Sequence, residues 1–505
     1  MHRLALGFLS MILLASVAQA NAIKEEDLRP HIKVLASDAF EGREPGTEGE
    51  RKTTAYISEQ WKKAGLKPAA SNGGWLDPVQ LVRRGPGTAD VQFYARGEKL
   101  RFADDEIVLI GKEASYGRSK LPLWFAGYGI DAAGRVAGDV AGKAVLILAD
   151  RPAFVAEEMK SIRARREALV AAGAEAVIVI AGEQGDYPLI RRQLLLRPIT
   201  LVSREKRAAL EGVVGARFAV AMVTASGGDW DKLRKSADAA DFAGTALGVT
   251  ANFTVTTDVN AFDSHNVIGK LPGKKPASGA VLFMGHWDHF GICRPEGEED
   301  RICNGAIDNA SGIAVMTEVA RSLAKKRYDR DIYFVATTAE ESGLLGAYAF
   351  AEKPVVALDK IIVALNIDTI AVAPRGASVA IIGRGTTNFD AVIEKVVKKA
   401  KRNIEPSSDS NSFIPRQDGW ALSQKGVPAL MISGAFSDLA RLELFLSDDY
   451  HGPDDELNDA TELGGAAEDA TLHVALGKHF ANMRKPAAEK PVQKSESKTD
   501  IKTGG

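Results

Sequence analysis

Short apolar runs alternate with segments of helical periodicity through the second half of the chain. The runs of β-strand character are AVLFMG at 280–285, DIYFVAT at 331–337, IIVALNI at 361–367, SVAIIG at 378–383 and PALMIS at 428–433. Between them, residues 313–326 place Ile313, Met316 and Val319 on one helical face, and residues 389–402 predict another helix. Strands alternating with helices predict an α/β fold, with a mostly parallel mixed sheet sandwiched by helices.

The first half of the chain shows two other patterns. Residues 28–70 predict a helix, a turn-rich loop and a second helix, which carries Ile57 and Trp61 on one face and ends at Gly65. From about 86 to 251 short β-like runs follow one another, with a helical piece at 165–174; the runs are 89–95, 121–130, 143–150, 175–182 and FAVAMVT at 218–224. We therefore predict a β-rich inserted domain at 88–251, between two parts of one domain at 21–87 and 252–485.

Composition narrows the class of protein. The 505 residues are 45% hydrophobic and 26% charged, with a net charge of −2, which is ordinary for a globular protein and implies no affinity for nucleic acid or anionic membranes.

Residues 1–20 predict a signal peptide, with cleavage after Ala20 or Ala22 and a mature protein that is periplasmic or secreted and not membrane-bound. The charged tail at 486–505 is predicted to be disordered. In an oxidising compartment, we expect Cys293 and Cys303 to form a disulfide.

Residues that can ligate metals stand at successive strand–helix joints. The segments are GHWDHFG at 285–291, NGAIDNASG at 304–312, ATTAEESG at 336–343, LNIDT at 365–369 and DDYHGPDDE at 448–456. A pair of divalent ions needs a carboxylate between them, a His or carboxylate at each outer position, and a free carboxylate to deprotonate the attacking water. Five side chains can serve as the bridging and outer ligands: His286, Asp308, Glu341, Asp368 and His451. Glu340 is then left as the base.

This set of motifs resembles the co-catalytic two-zinc exopeptidases, the group that holds bacterial secreted aminopeptidases and glutamate carboxypeptidases, from about residue 28 to 485. The resemblance implies two Zn²⁺ per chain, bridged by Asp308. It places His286 and Asp368 on one zinc and Glu341 and His451 on the other. Glu340 is the expected general base, and Asp288 is the acid that steers a ligand or the base. Tyr450 is a candidate oxyanion donor.

The resemblance extends to other segments. FAGYGI, GDVAGKAVLIL and ALVAAGAEAVIVI, between 125 and 180, resemble a protease-associated insert domain. His289 is expected to pack or hydrogen-bond near the site, and Asn309 or Ser311 to cap the following helix. Arg43 and Glu44, in the loop that resembles the family's leader, are either functional or, as we favour, joined in a structural salt link. Where family aminopeptidases carry Ser-Asp-His, this chain has Gln417, Asp418 and Gly419, which bears on substrate specificity more than on metal binding.

The predicted activity is a zinc aminopeptidase that removes N-terminal residues from peptides. Three alternatives remain open. A glutamate-releasing carboxypeptidase would need an arginine cluster, for which Arg375, Arg384 and Arg416 are available. A glutaminyl cyclase would use a single zinc on the same fold. A binding module without activity would be expected to lack a ligand or the base, and the sequence lacks neither.

Overall fold

The chain forms two compact units. The computed structural model describes residues 22–100, 107–150, 152–154, 159–182, 187 and 199–483, so the predicted signal peptide and most of the predicted disordered tail lie outside the described residues. One unit, the core unit, combines residues 1–79 with 263–505, and the other, the insert unit, spans 80–262. The predicted insert at 88–251 falls within the insert unit, and its assignment as a protease-associated domain stays a prediction.

A mixed sheet runs through the core unit, as predicted. Its three neighbouring pairs among the strands Ala429–Ser433, Ile361–Asn366, Ala280–His286 and Asp331–Thr337 are all parallel. The two flanking strands are antiparallel: Ala380–Ile382 pairs with Ala429–Ser433, and residues 267–271 of the long strand Thr245–Leu271 pair with Asp331–Thr337. In this register His286 lies beside Thr337, and Met284 lies beside Asn366. The strands therefore end together at one edge.

Alternate residues of this sheet pack into two separate cores. Val281 and Phe283 belong to the core on the face that the helix Ser311–Ala324 covers. Leu282 and Met284 belong to the core on the opposite face, with Phe350. Side chains of successive strand residues point to opposite faces, so burial on both faces requires continuous apolar runs. The unbroken run AVLFM is thus explained by helices covering both faces.

The helices that the sequence predicts for the core unit are present, together with others that it did not predict. Helix Glu48–Ala64 is capped by the Thr47 side chain and ends at Gly65, whose φ of 96° is in the left-handed region that glycine favours. The Asn309 side chain accepts a hydrogen bond from the Gly312 N–H, as expected of a cap. The remaining elements are the α-helices Glu25–Leu35, Leu345–Glu352, Asp390–Lys399, Gly419–Ser423, Leu439–Ser447 and Gly464–Phe480, the 3-10 turns Asp38–Arg43, Pro276–Ser278, Leu358–Lys360 and Asp409–Arg416, and the short strands Lys67–Pro68, Gly291–Ile292 and Ile302–Cys303.

Within the insert unit, four strands form parallel neighbouring pairs: Ser115–Phe125, Ala144–Leu148, Ala176–Ile180 and Leu210–Val214. Its other strands are Leu76–Ala95, Glu98–Lys99, Ile107–Gly111, Ile199–Leu201 and the first part of Thr245–Leu271, and its helices are Ile162–Ala171, Ala216–Ala225 and Trp230–Ser236.

One prediction for the insert unit is wrong, because FAVAMVT lies in the helix Ala216–Ala225 and is not a strand. Its buried residues Phe218, Ala219, Met222 and Val223 recur at the spacing of one helix face. A short apolar run does not distinguish the two states by periodicity alone. Within the described residues, no helix combines the length and the apolar character needed to cross a membrane.

Candidate metal centre

The predicted ligands come together at the edge where the parallel strands end. His286 is the last residue of Ala280–His286, Glu340 and Glu341 follow Asp331–Thr337, and Asp368 follows Ile361–Asn366. Asp308 lies in the turn Ala306–Ala310, and His451 lies beyond the helix Leu439–Ser447. The crevice outside the carboxyl ends of parallel strands is the usual ligand site of open α/β sheets.

Asp308 occupies the centre of the cluster, between two pairs of side chains. Its Oδ1 lies 3.1 Å from His286 Nε2, which is itself 3.3 Å from Asp368 Oδ1. Its Oδ2 lies 3.4 Å from His451 Nε2, which is 3.0 Å from Glu341 Oε2. Donor atoms of His286, Asp308 and Glu341 all lie within 4.8 Å of one another. The two oxygens of Asp308 therefore face different pairs of predicted ligands, and its bridging role stays a prediction.

Glu340 faces the same cluster without completing either pair. Its Oε2 is 4.0 Å from His286 Nε2, and its N–H donates to Asp288 Oδ1 at 3.1 Å. The main-chain carbonyl of Asp288 lies 3.1 Å from His286 Nδ1 and can only accept, so Nδ1 donates and Nε2 is left for the cluster. Asp288 therefore contacts both the candidate base and a candidate ligand, as predicted for a steering acid.

Burial and mutual repulsion set the charges of these groups. Burial, reinforced by the charges of Glu341 and Asp368, holds the pKa of Glu340 well above its usual value, and burial raises the pKa of Asp288 to about 7. Burial disfavours the charged imidazole of His286, yet the charges of Glu340 and Asp368 leave its pKa raised. Burial also opposes ionisation of Asp308, but the nearby imidazoles of His286 and His451 keep its pKa well below the usual range.

The donor set fits zinc. Asp288 Oδ2, Asp308 Oδ2 and His289 Nε2 are buried without a hydrogen-bond partner. Orphaned buried polar atoms indicate a missing ion or water, and imidazole nitrogens with carboxylate oxygens are ligands that Zn²⁺ prefers. The number of ions that this cluster holds remains a prediction.

Two further predicted residues lie beside the cluster. The ring of Tyr450 stacks on that of His451, with centroids 3.6 Å apart, and burial raises the pKa of its hydroxyl. Its role as oxyanion donor stays a prediction. His289 Nδ1 lies 2.7 Å from Glu341 Oε1, which confirms the expected hydrogen-bonding role.

Sequence reasoning missed Asp455, which holds the turn that carries Asp308. Its carboxylate accepts hydrogen bonds from the N–H groups of Ile307 and Asp308 at 2.8 and 2.9 Å. Burial raises the pKa of Asp455 to about 6. The motif DDYHGPDDE contains it, but neighbouring acids in that motif give no means of telling which one points inward.

The structure also shows how Gln417, Asp418 and Gly419, which replace the family's Ser-Asp-His, are placed. Asp418 is buried near the cluster, with Oδ2 accepting from the Thr337 hydroxyl and Oδ1 left without a hydrogen-bond partner. The Gly419 N–H donates to Gln417 Oε1 at 2.8 Å, and a Cβ at position 419 would approach that oxygen to 2.7 Å. The Gln417 side chain therefore takes the space next to Gly419.

The structural salt link predicted for Arg43 is wrong. The hydrogen bonds that its buried guanidinium donates within the described residues end on main-chain carbonyl oxygens. A sequence cannot show this arrangement, because main-chain acceptors carry no residue signature.

A disulfide joins Cys293 and Cys303, as predicted. It closes the hairpin Gly291–Ile292 with Ile302–Cys303. The ring of Phe290, at the start of this hairpin, lies 4.4 Å from the His451 ring, so the hairpin borders the cluster.

Comparison with known proteins supports the motif analysis. Residues 266–474 match the sequence profile of peptidase family M28. The chain is 27% identical over 213 residues to a Glutamate carboxypeptidase 2 homolog of Caenorhabditis elegans, covering 39% of this chain and 25% of that protein. It is 29% identical over 197 residues to Aminopeptidase NAALADL1 of Mus musculus, covering 36% and 24%. The chain thus spans about a quarter of the length of these curated relatives.

The fold is shared over a longer range. The solved structure of an aminopeptidase from Aneurinibacillus sp. strain AM-1 matches with a TM-score of 0.55 at 20% identity, covering 93% of this chain and 97% of that one. At that identity the likeness shows the fold alone, and it confirms the predicted α/β class. The match to peptidase family M28 covers residues 266–474, the region that contains all five predicted ligands and Glu340.

Proposed function

We propose that this protein is an exported zinc aminopeptidase, which binds two Zn²⁺ per chain and removes N-terminal residues from peptides. The observation that carries the proposal is the position of Asp308, whose two oxygens face two separate ligand pairs, His286 with Asp368 and His451 with Glu341. A carboxylate placed in this way suits a pair of ions that clamps one reacting group.

The residues of the chain divide the chemistry between them. Zinc bound here would polarise the scissile carbonyl and lower the pKa of the attacking water. Glu340 takes a proton from that water as its oxygen attacks the carbonyl carbon, and delivers the proton to the amine as the C–N bond breaks. Glu340 must be ionised to accept that proton, and its burial favours the neutral carboxyl that it forms between the two steps. Asp288 fixes the main chain of Glu340 through the N–H bond.

Arginine placement favours an aminopeptidase over a glutamate-releasing carboxypeptidase. Arg375 is 2.8 Å from Glu25, and Arg384 is 3.0 Å from Glu394, so each has an acidic partner of its own. Of the three candidates, Arg416 alone lines a pocket that also contains Asp368. The cluster required to hold a substrate α-carboxylate is therefore not formed by these three residues.

The pocket next to Asp368 supports an apolar N-terminal residue in the substrate. It is lined mainly by apolar and aromatic side chains, those of Phe413, Met431, Phe436, Leu442, Leu446 and Tyr450. The guanidinium of Arg416 lies 5.3 Å from the centre of the Phe413 ring, at the edge of the pocket. We expect leucyl and similar substrates to be preferred over lysyl ones, because Arg416 repels a second cation.

The cyclase and binding-module alternatives have less support. A single-zinc cyclase would not need the second ligand pair, and an inactive module would not need Glu340 beside it. All five predicted ligands and the base lie within one cluster.

A substrate panel with metal analysis tests the proposal. Purified protein is assayed with aminoacyl, N-blocked aminoacyl, γ-glutamyl and N-terminal glutaminyl peptides, before and after chelation and with Zn²⁺ or Co²⁺ restored. We expect hydrolysis of free-amino substrates only, lost on chelation and regained with metal. Cleavage of C-terminal glutamate from blocked peptides would favour the carboxypeptidase, ring closure of glutaminyl peptides would favour the cyclase, and full activity of metal-free protein would reject the proposal.

Export is the part of the proposal that concerns residues 1–20. It is supported by the composition of that segment and by the disulfide between Cys293 and Cys303, which persists in oxidising compartments. Cell fractionation with N-terminal sequencing of the mature protein should give a start at Asn21 or Ile23. Retention of Met1 on a cytoplasmic protein would contradict export without affecting the activity.

A further inference from the structure

We infer that Arg43 is a positioning residue that sets the zinc affinity of the site, by tying the Asp308 turn to the end of the His286 strand. This inference rests on the proposed zinc centre, and it concerns a residue that touches none of the proposed ligands' side chains. Its support is the geometry of one guanidinium group.

The guanidinium of Arg43 bonds three separate segments at once. Nε donates to the carbonyl of Trp287 at 2.9 Å, directly after His286. Nη1 and Nη2 donate to the carbonyls of Asn304 and Gly305 at 2.5 and 2.9 Å, just before Asp308 in the chain. Nη1 also donates to the carbonyl of Leu35, at the end of a helix, at 2.8 Å. A planar group with several fixed donors thus holds two ligand-bearing segments in one geometry.

The main chain around Arg43 reinforces this link. Glu41, Gly42 and Arg43 have successive positive φ values of 50°, 62° and 54°. A Cβ on Gly42 would meet the carbonyl oxygens of Cys303 and Gly291 at 2.5 and 2.6 Å. Such left-handed stretches persist only where surrounding contacts determine them. The turn therefore fits closely against the disulfide hairpin that borders the cluster.

Asn304 gives the same loop a second anchor. Its Nδ2 donates to Asp38 Oδ1 at 2.8 Å and to Glu456 Oε1 at 2.6 Å. The carbonyl of Arg43 in turn accepts from the His289 N–H at 3.4 Å. Two residues of the N-terminal segment, Asp38 and Arg43, thus hold the loop before Asp308. Of these two, Arg43 also bonds the residue that follows His286.

The positive charge of Arg43 should also favour zinc binding, in addition to its hydrogen bonds. Arg43 is only 1% exposed, and burial lowers its pKa to about 10, so it remains a cation at neutral pH. The acidic groups that attract it are Asp455, Asp308, Asp288 and Glu341. Carboxylates must be ionised to ligate a metal, and a buried cation nearby favours that form.

The insert unit offers a matched control in Arg165. This residue is also fully buried, and it donates hydrogen bonds to the carbonyls of Tyr128, Leu148, Ala149 and Asp150 at 2.9 to 3.1 Å. The two arginines thus have the same kind of environment, but Arg165 holds segments that carry no proposed ligand. Loss of either should reduce stability, and only loss of Arg43 should change zinc binding.

The test compares Arg43→Met, Arg43→Lys and Arg165→Met in the full-length protein. Zinc is removed, Zn²⁺ is titrated against a chromophoric chelator, and unfolding of the metal-free proteins is followed by circular dichroism. We expect Arg43→Met to weaken binding of at least one Zn²⁺ by roughly 10–100-fold, the range for outer-shell partners of metal ligands. Arg43→Lys, which keeps the charge with fewer donors, should fall between Arg43→Met and the wild type. Arg165→Met should bind zinc as the wild type does while unfolding more readily.

Wild-type zinc affinity in a folded Arg43→Met protein would overturn the inference, and so would equal losses in Arg43→Met and Arg165→Met. If Arg43→Met does not fold, Arg43→Lys decides, because unchanged affinity in that variant contradicts the role. A wild-type protein that binds no zinc would instead reject the proposed function.

Discussion

Each unit contains a buried cluster of charged side chains, and the two clusters differ in composition. In the insert unit, Arg84, Arg166 and Arg207 form ion pairs with Glu205 and Glu211. In the core unit, acidic groups collect at one sheet edge, where buried oxygens of Asp288, Asp308 and Asp418 have no hydrogen-bond partner. The insert-unit cluster pairs acidic with basic side chains, whereas the core-unit cluster has more acidic groups than basic ones, an excess that a bound cation would balance.

This contrast gives a physical criterion for separating function from stability. Buried ions lose hydration, and that loss is recovered only when a partner is close. A buried cluster with an excess of one charge is therefore a candidate site, whereas a cluster of paired opposite charges is more often structural. Substitutions that remove one carboxylate should therefore act in opposite directions in the two units.

The largest effect is expected at the candidate base. Glu340→Gln should lower kcat by roughly 10²–10⁴-fold, because it removes the proton acceptor, and should leave zinc content unchanged. Glu341→Gln is the matched variant, which should lower zinc content because a ligand is lost. Steady-state kinetics and metal analysis distinguish them, and zinc loss in Glu340→Gln alone would reverse the two roles.

Removal of an insert-unit carboxylate should destabilise that unit. Glu211 is 2% exposed and pairs with Arg166 and Arg207. Glu211→Gln leaves both guanidinium groups short of a partner, so we expect a loss of about 3–5 kcal/mol in the free energy of unfolding. Denaturant titration measures it, and zinc content should not change. Stability equal to that of the wild type would contradict the contrast.

Removal of a carboxylate from the core-unit cluster should instead increase the stability of the metal-free protein. Burial raises the pKa of Asp418 to about 6, so the folded state binds its proton more tightly than the unfolded state does. The stability of metal-free protein should therefore fall as the pH rises from about 4 to 6, with the full cost present above that window. Asp418→Asn should stabilise metal-free protein at pH 7.5 by about 1–3 kcal/mol. Thermal unfolding across pH tests this, and a destabilised variant with unchanged pH dependence would refute it.

The smallest effect is expected on the surface. Arg51 pairs with Glu48 in an exposed helical position, where the two side chains are 70% and 44% accessible. Exposed pairs contribute little because water screens them. Arg51→Ala should leave the melting temperature and zinc content unchanged, and it serves as a control for substitution itself.

Much of the site could be predicted from sequence because its chemistry is tied to strand ends. His286, Glu340 with Glu341, and Asp368 each follow an apolar run, and parallel strands bring such ends to one edge. The two remaining ligands, Asp308 and His451, were predicted from the residue types in NGAIDNASG and DDYHGPDDE, and they also lie in the cluster. The sheet was likewise predicted, and so were the helices Glu25–Leu35, Glu48–Ala64, Ile162–Ala171, Ser311–Ala324 and Asp390–Lys399. Helices such as Leu439–Ser447 and Gly464–Phe480 were not predicted.

The missed features depend on main-chain geometry. Asp455 was missed because it accepts from N–H groups, and Arg43 because it donates to carbonyls. Main-chain partners exist at every position, so no residue pattern marks them. The helix Ala216–Ala225 was missed for a different reason, since an apolar run packed on one face of a helix can read as a strand.

The division of the core unit into two stretches of chain has a kinetic consequence. Its first stretch ends at residue 79 and its second begins at 263, so the buried residues Leu28, Ile32 and Trp61 are synthesised long before partners such as Ile313 and Phe334. Within the insert unit, Thr88 and Thr256 are hydrogen-bonded, which brings the ends of the insert together once it has folded. Shortening the effective loop about tenfold lowers the entropic cost of closure by about 2 kcal/mol. An insert that folds first would therefore act as an internal folding aid, shortening the search by which the N-terminal helices find their place.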